Sequence, residues 1–171
     1  MSRIFIDARE DEKRCVFWLA TVPIESHTFL PPFVQAAALS LVFHAASPMV
    51  PTFRADVRVF EVGGERWFGG GADLTPYYLY DEDAQTFHRF WHAVCERHAC
   101  ADHAEYKKWC DDYFYIPSRK EHRGVGGIFF DDLSSQGAQE FTQEVAEQWL
   151  ASYLSIVEKR RQLAFTEVPL P

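Results

Sequence analysis

The sequence predicts an α+β domain, a mainly antiparallel sheet flanked by helices. Three observations carry this. Alternating, strand-like segments joined by glycine and proline punctuation fill the first half of the chain. Two segments of helical periodicity follow them. A glycine-led apolar run, 124–133, then returns to strand character before a last long helical segment. Strands first, then helix–helix–strand–helix, is the order of a domain whose helices pack on an antiparallel sheet. With 171 residues and 47% hydrophobic content, one domain with a sizeable core is expected.

Taken in order, Arg3 to Ala8 and Cys15 to Ala20 read as short strands, and Pro23, Pro31 and Pro32 break any longer element. Phe33 to Ala38 reads as a helix turn. Leu39 to His44 reads as a strand with Ser40, Val42 and His44 on one face. In Arg54-Ala55-Asp56-Val57-Arg58-Val59 the charged residues share one face and the apolar ones the other. Gly63-Gly64 is a hairpin turn into Glu65-Arg66-Trp67-Phe68. Asp81, with Glu82 and Asp83 behind it, is the expected N-cap of a helix to about His98, with Ala84, Phe87, Trp91, Val94 and Cys95 on its apolar stripe. A second helix is expected from His103 to Tyr115, stopping before Pro117. A charged loop, Arg119 to His122, and the strand Gly124 to Leu133 come next. A final helix, about Ala138 to Arg161, is expected to be capped by Ser134 or Ser135.

The most informative run is Arg66-Trp67-Phe68-Gly69-Gly70-Gly71-Ala72-Asp73-Leu74-Thr75-Pro76. On a strand, Gly69 and Gly71 share a face with Asp73, so that face is bare backbone with one acid. Glycine weakens a strand unless a ligand or another backbone approaches closely. Two readings stand: a flat ligand lying on the glycines with a polar group on Asp73, or a bulge or barrel corner. If the charged strand presents its polar face beside it, Arg54, Asp56, Arg58 and Asp73 line one surface. That surface is either a solvated face with cross-strand ion pairs or a site for an anionic ligand, since guanidinium groups bind carboxylates bidentately.

Other chemistry-bearing segments are weaker. Arg119 to Gly127 is either a charged surface loop or a backbone anion cradle, but lacks the Lys-Ser/Thr of a P-loop. His88, His92, Cys95, His98, Cys100 and His103 resemble zinc ligands in composition. They lie mostly along one amphipathic helix, whereas structural zinc sites use ligand pairs separated by a loop, so scattered helix residues are the favoured reading. The pairs Asp111-Asp112 and Asp131-Asp132 offer one acid per strand face and signal no metal by themselves.

A net charge of −8 argues against nucleic acid and anionic membrane as main partners. No apolar segment is long enough to span a bilayer. The start of the chain carries Asp7, Glu10, Asp11 and Glu12 and no apolar signal core. A cytoplasmic protein is expected, with an organelle as the alternative if a targeting segment is missing from the chain. The four cysteines show no disulfide spacing and are expected to be free thiols.

Three runs then carry a family resemblance. They are Trp67 to Pro76, Tyr106-Lys107-Lys108-Trp109-Cys110-Asp111-Asp112-Tyr113-Phe114-Tyr115-Ile116, and His122-Arg123-Gly124-Val125-Gly126-Gly127-Ile128-Phe129-Phe130-Asp131-Asp132-Leu133. In this order they resemble the oxygen-dependent coproporphyrinogen III oxidases of haem biosynthesis, from about Ala38 to Glu167. The resemblance implies oxidative decarboxylation of coproporphyrinogen III to protoporphyrinogen IX. Oxygen is the co-substrate, no flavin, haem or other cofactor takes part, and the assembly is a homodimer. It assigns substrate roles to Ser40, Asp56, Val57, Arg58 and Asp73. Arg58 would hold a propionate and Asp73 would face the pyrrole N–H groups. Arg123, in the third run, is also expected at the substrate.

The chain departs from the family pattern in ways that bear on chemistry. Arg54 stands where the family usually carries a histidine proposed as proton donor, and an arginine is a poor general acid. Asp56 stands where Asn is usual. Of four histidines proposed as metal ligands in bacterial members, His44 and His88 match two, while Arg54 and Ser118 replace the others, so no metal site is expected. Motifs at both ends of the family are missing. The expectation is therefore an incomplete coproporphyrinogen oxidase fold: a divergent segment 1–33, a partial domain 34–167 and an unrelated tail 168–171. The alternative function is a catalytically impaired remnant or paralogue that binds tetrapyrrole or a full-length oxidase.

Overall fold

The structure, a computed structural model, describes the backbone of residues 2–7, 15–21, 24–25 and 34–165, and side chains for 35–165. The strands are β1 (Ser2–Asp7), β2 (Cys15–Thr21), β3 (Ile24–Glu25), β4 (Val34–Ala45), β5 (Thr52–Val62), β6 (Glu65–Thr75), β7 (Tyr115–Ile116), β8 (Glu121–His122) and β9 (Gly126–Leu133). The helices are α1 (Asp81–Cys95), α2 (His103–Tyr113) and α3 (Ala138–Arg160). The main sheet runs β1-β2-β4-β5-β6-β9, with β3 beside β4, and every pairing is antiparallel. The α+β class expected from the sequence is the one observed. Ala8, Pro23, Pro31, Pro32, Phe33 and the expected tail 168–171 lie outside the described residues, as does most of 1–33.

One face of the sheet holds the core. Phe53, Ala55, Ala72, Leu74, Ile128 and Phe130 meet Phe87, Trp91 and Val94 of α1 and Phe141, Val145, Trp149, Tyr153 and Ile156 of α3. These are the positions that strand alternation and the helical repeat select. Phe53 stacks on Tyr153 at 5.1 Å between ring centroids, and the Tyr153 hydroxyl donates to the Pro51 carbonyl at 2.8 Å. α2 lies along β9: Tyr106 reaches Phe130 on the core side, while Trp109 and Tyr113 pack on Phe129.

Several elements differ from the sequence reading. The helix turn expected at Phe33 to Ala38 is strand: β4 begins at Val34 and pairs with β5 along its length. Alanine favours a helix in isolation, but ten residues in register with β5 override it. The small side chains Ala36 to Ala38 also help leave a cavity of about 560 Å³ between β4, β5 and the first half of α3. Asp81 does not cap α1. Tyr80 holds the cap position without a side-chain bond, and Asp81 is the first helical residue. Neither Ser134 nor Ser135 caps α3, since Gly137, in the left-handed region at φ +89°, occupies that place. The expected loop at 119–122 contains β8, paired with β7. α1 and α2 end earlier than expected, at Cys95 and Tyr113.

Candidate functional site

The face of the sheet opposite the core carries the charged residues. In the β5–β6 register Arg54 lies opposite Asp73, Asp56 opposite Gly71 and Arg58 opposite Gly69. Directly opposed residues share a face, so the two polar faces coincide as the alternation predicts. The turn that sets this register has Gly63 and Gly64 at φ +61° and +90°, a conformation that glycine adopts without strain. β4 adds Ser40, opposite Asp56 and exposed. Val57 points the other way and lines the cavity beneath α3, so only its backbone belongs to the charged face.

Asp73 is the most enclosed charge of this face, at 4% exposure. Its Oδ2 accepts from Arg123 Nη2 at 2.7 Å, and its Oδ1 is buried with no partner. Burial pushes its pKa up, against the opposing pull of Arg123 and Arg54. Arg123 is held in place by Phe114, its guanidinium lying 3.6 Å from the ring centroid, and its buried Nε also lacks a partner. Arg54 donates through Nη1 to Thr75 Oγ1 at 2.9 Å, and burial, then Arg123, lowers its pKa from the ordinary arginine value.

Arg58 sits between two acids. Its Nη1 donates to Asp56 Oδ2 at 2.5 Å, and its Nε and Nη2 face Asp131 Oδ1 and Oδ2 at 3.3 and 3.0 Å. Phe129 lies beneath the guanidinium at 5.4 Å. Burial disfavours the Arg58 cation, but Asp131 and Asp56 outweigh it and hold its pKa above the ordinary value. Burial raises the Asp56 pKa, with Arg58 opposing.

The glycine strand combines features of both sequence readings. The β6–β9 register shifts between Phe68 and Gly70, which is a bulge or local irregularity. A Cβ on Gly70 would lie 2.7 Å from the Asp56 carbonyl oxygen, and one on Gly71 2.5 Å from that of Ile128. One on Gly69 would collide with Asp131 Oδ1 and lie 2.7 Å from Arg58 Nε. On the charged face the Arg58–Asp131 ion pair covers Gly69 and the β9 backbone crowds Gly71, while Gly70 faces the core side towards Phe130 and Val57. Likewise, in the loop 119–127, the backbone N–H groups of Arg119, Lys120, Arg123 and Val125 donate to carbonyls of the chain itself and not to a ligand. The loop's contribution to the face is the Arg123 side chain.

His88, His92 and His103 lie together, the His103 ring centroid 6.4 Å from that of His88 and 5.1 Å from that of His92. His44 Nδ1 lies 3.4 Å from Thr52 Oγ1, and His88 donates through Nε2 to the Val125 carbonyl at 3.0 Å. Ser118 is exposed in a turn. His92 pairs with Glu96 and His98 with Glu144. Cys95 is buried, its thiol pushed up to about 12 by desolvation, and Cys95, Cys100 and Cys110 are free. Among the described residues no group of three or more His, Cys, Asp or Glu is placed to hold a metal ion, and no helix is long and apolar enough to cross a membrane.

Asp131, Phe129 and Phe114 are the site residues that sequence reasoning missed. The only signal was that Asp131-Asp132 puts one acid on each face; which strand receives it depends on the β6–β9 register.

The family model described as coproporphyrinogen III oxidase matches residues 23–169. Proteins named oxygen-dependent coproporphyrinogen-III oxidase from Francisella tularensis subsp. holarctica, strains OSU18, FTNF002-00 / FTA and LVS, are each 42% identical to this chain over 140 residues. The match covers 77% of this chain and 46% of each relative. The chain thus spans about half the length of the curated relatives it matches.

Proposed function

Because this chain belongs to the coproporphyrinogen III oxidase family, we propose that its charged sheet face binds coproporphyrinogen III in an oxygen-dependent oxidative decarboxylation to protoporphyrinogen IX, a step of haem biosynthesis. The observation that carries this reading is Asp73. A nearly enclosed carboxylate with one oxygen on Arg123 and the other unpartnered is an acceptor set for a ligand N–H. A reduced tetrapyrrole offers pyrrole N–H groups at its centre and carboxylates at its rim. Arg58 and Arg54, on the same face, are the donors suited to a propionate. Ser40 borders the same surface. Oxygen is the co-substrate and the reading calls for no other cofactor, in a cytoplasmic homodimer.

Arg54 favours a second reading, in which the chain binds tetrapyrrole, or a full-length oxidase, with little turnover. Its guanidinium is tied to Thr75 and cannot exchange a proton near neutral pH. Fluorescence titration with coproporphyrin III tests binding: Arg58→Ala should weaken it by about 1.5–3 kcal/mol, the scale of a charged hydrogen bond. Equal affinity in parent and variant removes Arg58 from the site. Oxygen-dependent turnover of coproporphyrinogen III separates the two readings, measured in a chimera that adds the remaining length of a relative. If Arg54 limits it, Arg54→His raises the rate; a normal rate with Arg54 in place removes the impairment.

A further inference from the structure

The glycine at position 69 is explained by the ion pair that covers it. Arg58 and Gly69 are directly opposed across β5 and β6, and Asp131 reaches over Gly69 from β9. Any side chain at 69 would occupy the place of the Arg58 Nε–Asp131 Oδ1 contact. Asp131 takes the Nε/Nη2 edge of the guanidinium in a side-on pair, and Asp56 takes Nη1. Of the five N–H donors of an arginine, three are thereby fixed and two, one on each terminal nitrogen, remain for a ligand. Phe129 supports the group from below. Arg58 and Asp131 are both half-buried, with side-chain exposures of 19% and 34%, so solvent screens this pair less than a surface pair.

We propose that Asp131 and Gly69 are positioning residues, which clamp Arg58 side-on so that its remaining N–H donors are presented to a ligand carboxylate. The proposal rests on the binding reading above. Without the clamp the long arginine side chain regains its rotamer freedom and folds onto Asp56, its other counter-ion, and the cation is lost to the ligand.

The test is a double-mutant cycle in the 171-residue chain with coproporphyrin III as probe. Asp131→Asn, nearly the same shape, is expected to lower affinity about tenfold, a coupling of ordinary size between contacting residues. In an Arg58→Ala background the same change is expected to do nothing. Gly69→Ala should reproduce both results, and if that variant fails to fold, Asp131→Asn alone carries the cycle. An equal loss in the Arg58→Ala background makes Asp131 a merely structural residue and overturns the proposal. So does a gain in affinity, which makes Asp131 a competitor of the ligand. The Arg58 Nε–H resonance in a nitrogen-15 spectrum separates the clamp from the binding reading. It should be protected from exchange in the parent and lost in Asp131→Asn. If it behaves so while Arg58→Ala binds as the parent does, the propionate reading fails and the clamp survives as architecture only. If it is unaffected by Asp131→Asn, the clamp itself is overturned.

Discussion

Asp73 is retained at a cost to the fold. Its pKa is raised, chiefly by burial, so the folded state favours its protonated form despite the neighbouring arginines. The stabilisation linked to that proton is fully present below the ordinary aspartate value of about 3.9 and is lost as pH rises through the raised value. Asn mimics the protonated form. Urea unfolding across this range should therefore show Asp73→Asn gaining on the parent as pH rises, with loss of tetrapyrrole affinity; a constant stability difference would contradict the assignment. A carboxylate that the fold would rather have neutral is a mark of a working site. Arg160 is the opposite case. It is 5% exposed, donates through Nε and Nη2 to Asp83 at 2.7 and 2.9 Å, and lies 3.5 Å over the Tyr80 ring. Arg160→Ala leaves the buried Asp83 with only Lys159, 3.9 Å away, as a cationic neighbour, and should cost about 3 kcal/mol in unfolding free energy, the low end for breaking a buried pair. A loss below about 1 kcal/mol would place the pair among solvated surface bridges.

At the level of elements, β6 and β9 approach so closely that Gly127 has no room for a side chain. A Cβ there would collide with the Ala72 carbonyl oxygen on β6. Gly127→Ala is expected to destabilise by about 1–3 kcal/mol as an overpacked contact, and to lower coproporphyrin affinity because Asp73 lies directly opposite. Unchanged stability would show that the two strands can part without cost. The hairpin of β5 and β6 was legible in the sequence because period-two alternation and Gly63-Gly64 fix face and register together. α1 was legible from its apolar repeat. The first half of β4 was not, because alanines carry no periodic signal and only pairing with β5 makes them strand. The Arg58–Asp131 contact was hidden behind a register shift between Phe68 and Gly70 that no local pattern announces. Arg160 and Asp83 are 77 positions apart, and nothing near either residue points to the other. Gly137 displaced the expected serine cap because its left-handed backbone turns the chain into α3 without a side-chain bond.

The molecule as a whole leaves apolar surface in contact with water. Leu150 and Leu154, one turn apart on α3, are 52% and 49% exposed, Tyr77, Tyr78 and Leu79 are consecutive and exposed, and the 560 Å³ cavity opens beside α3. Such patches promote association, although α2 lies along β9, the last strand of the sheet. Light scattering after size exclusion should find the isolated chain self-associated; a monodisperse monomer with a sharp thermal transition would contradict this. The charged face has a different large-scale consequence. Arg54, Arg58 and Arg123 are matched by Asp56, Asp73 and Asp131, so the face is balanced, while the whole chain carries −8. A tetracarboxylate approaching from a distance meets no attractive field and feels the overall negative charge; attraction begins only at contact. Salt screens the long-range repulsion more than the half-buried contacts. In stopped-flow mixing with coproporphyrin III, the association rate constant should therefore rise with ionic strength, whereas electrostatic steering would make it fall. The arrangement selects its ligand after collision, by which molecules stay, and gives no advantage to anions in the speed of arrival.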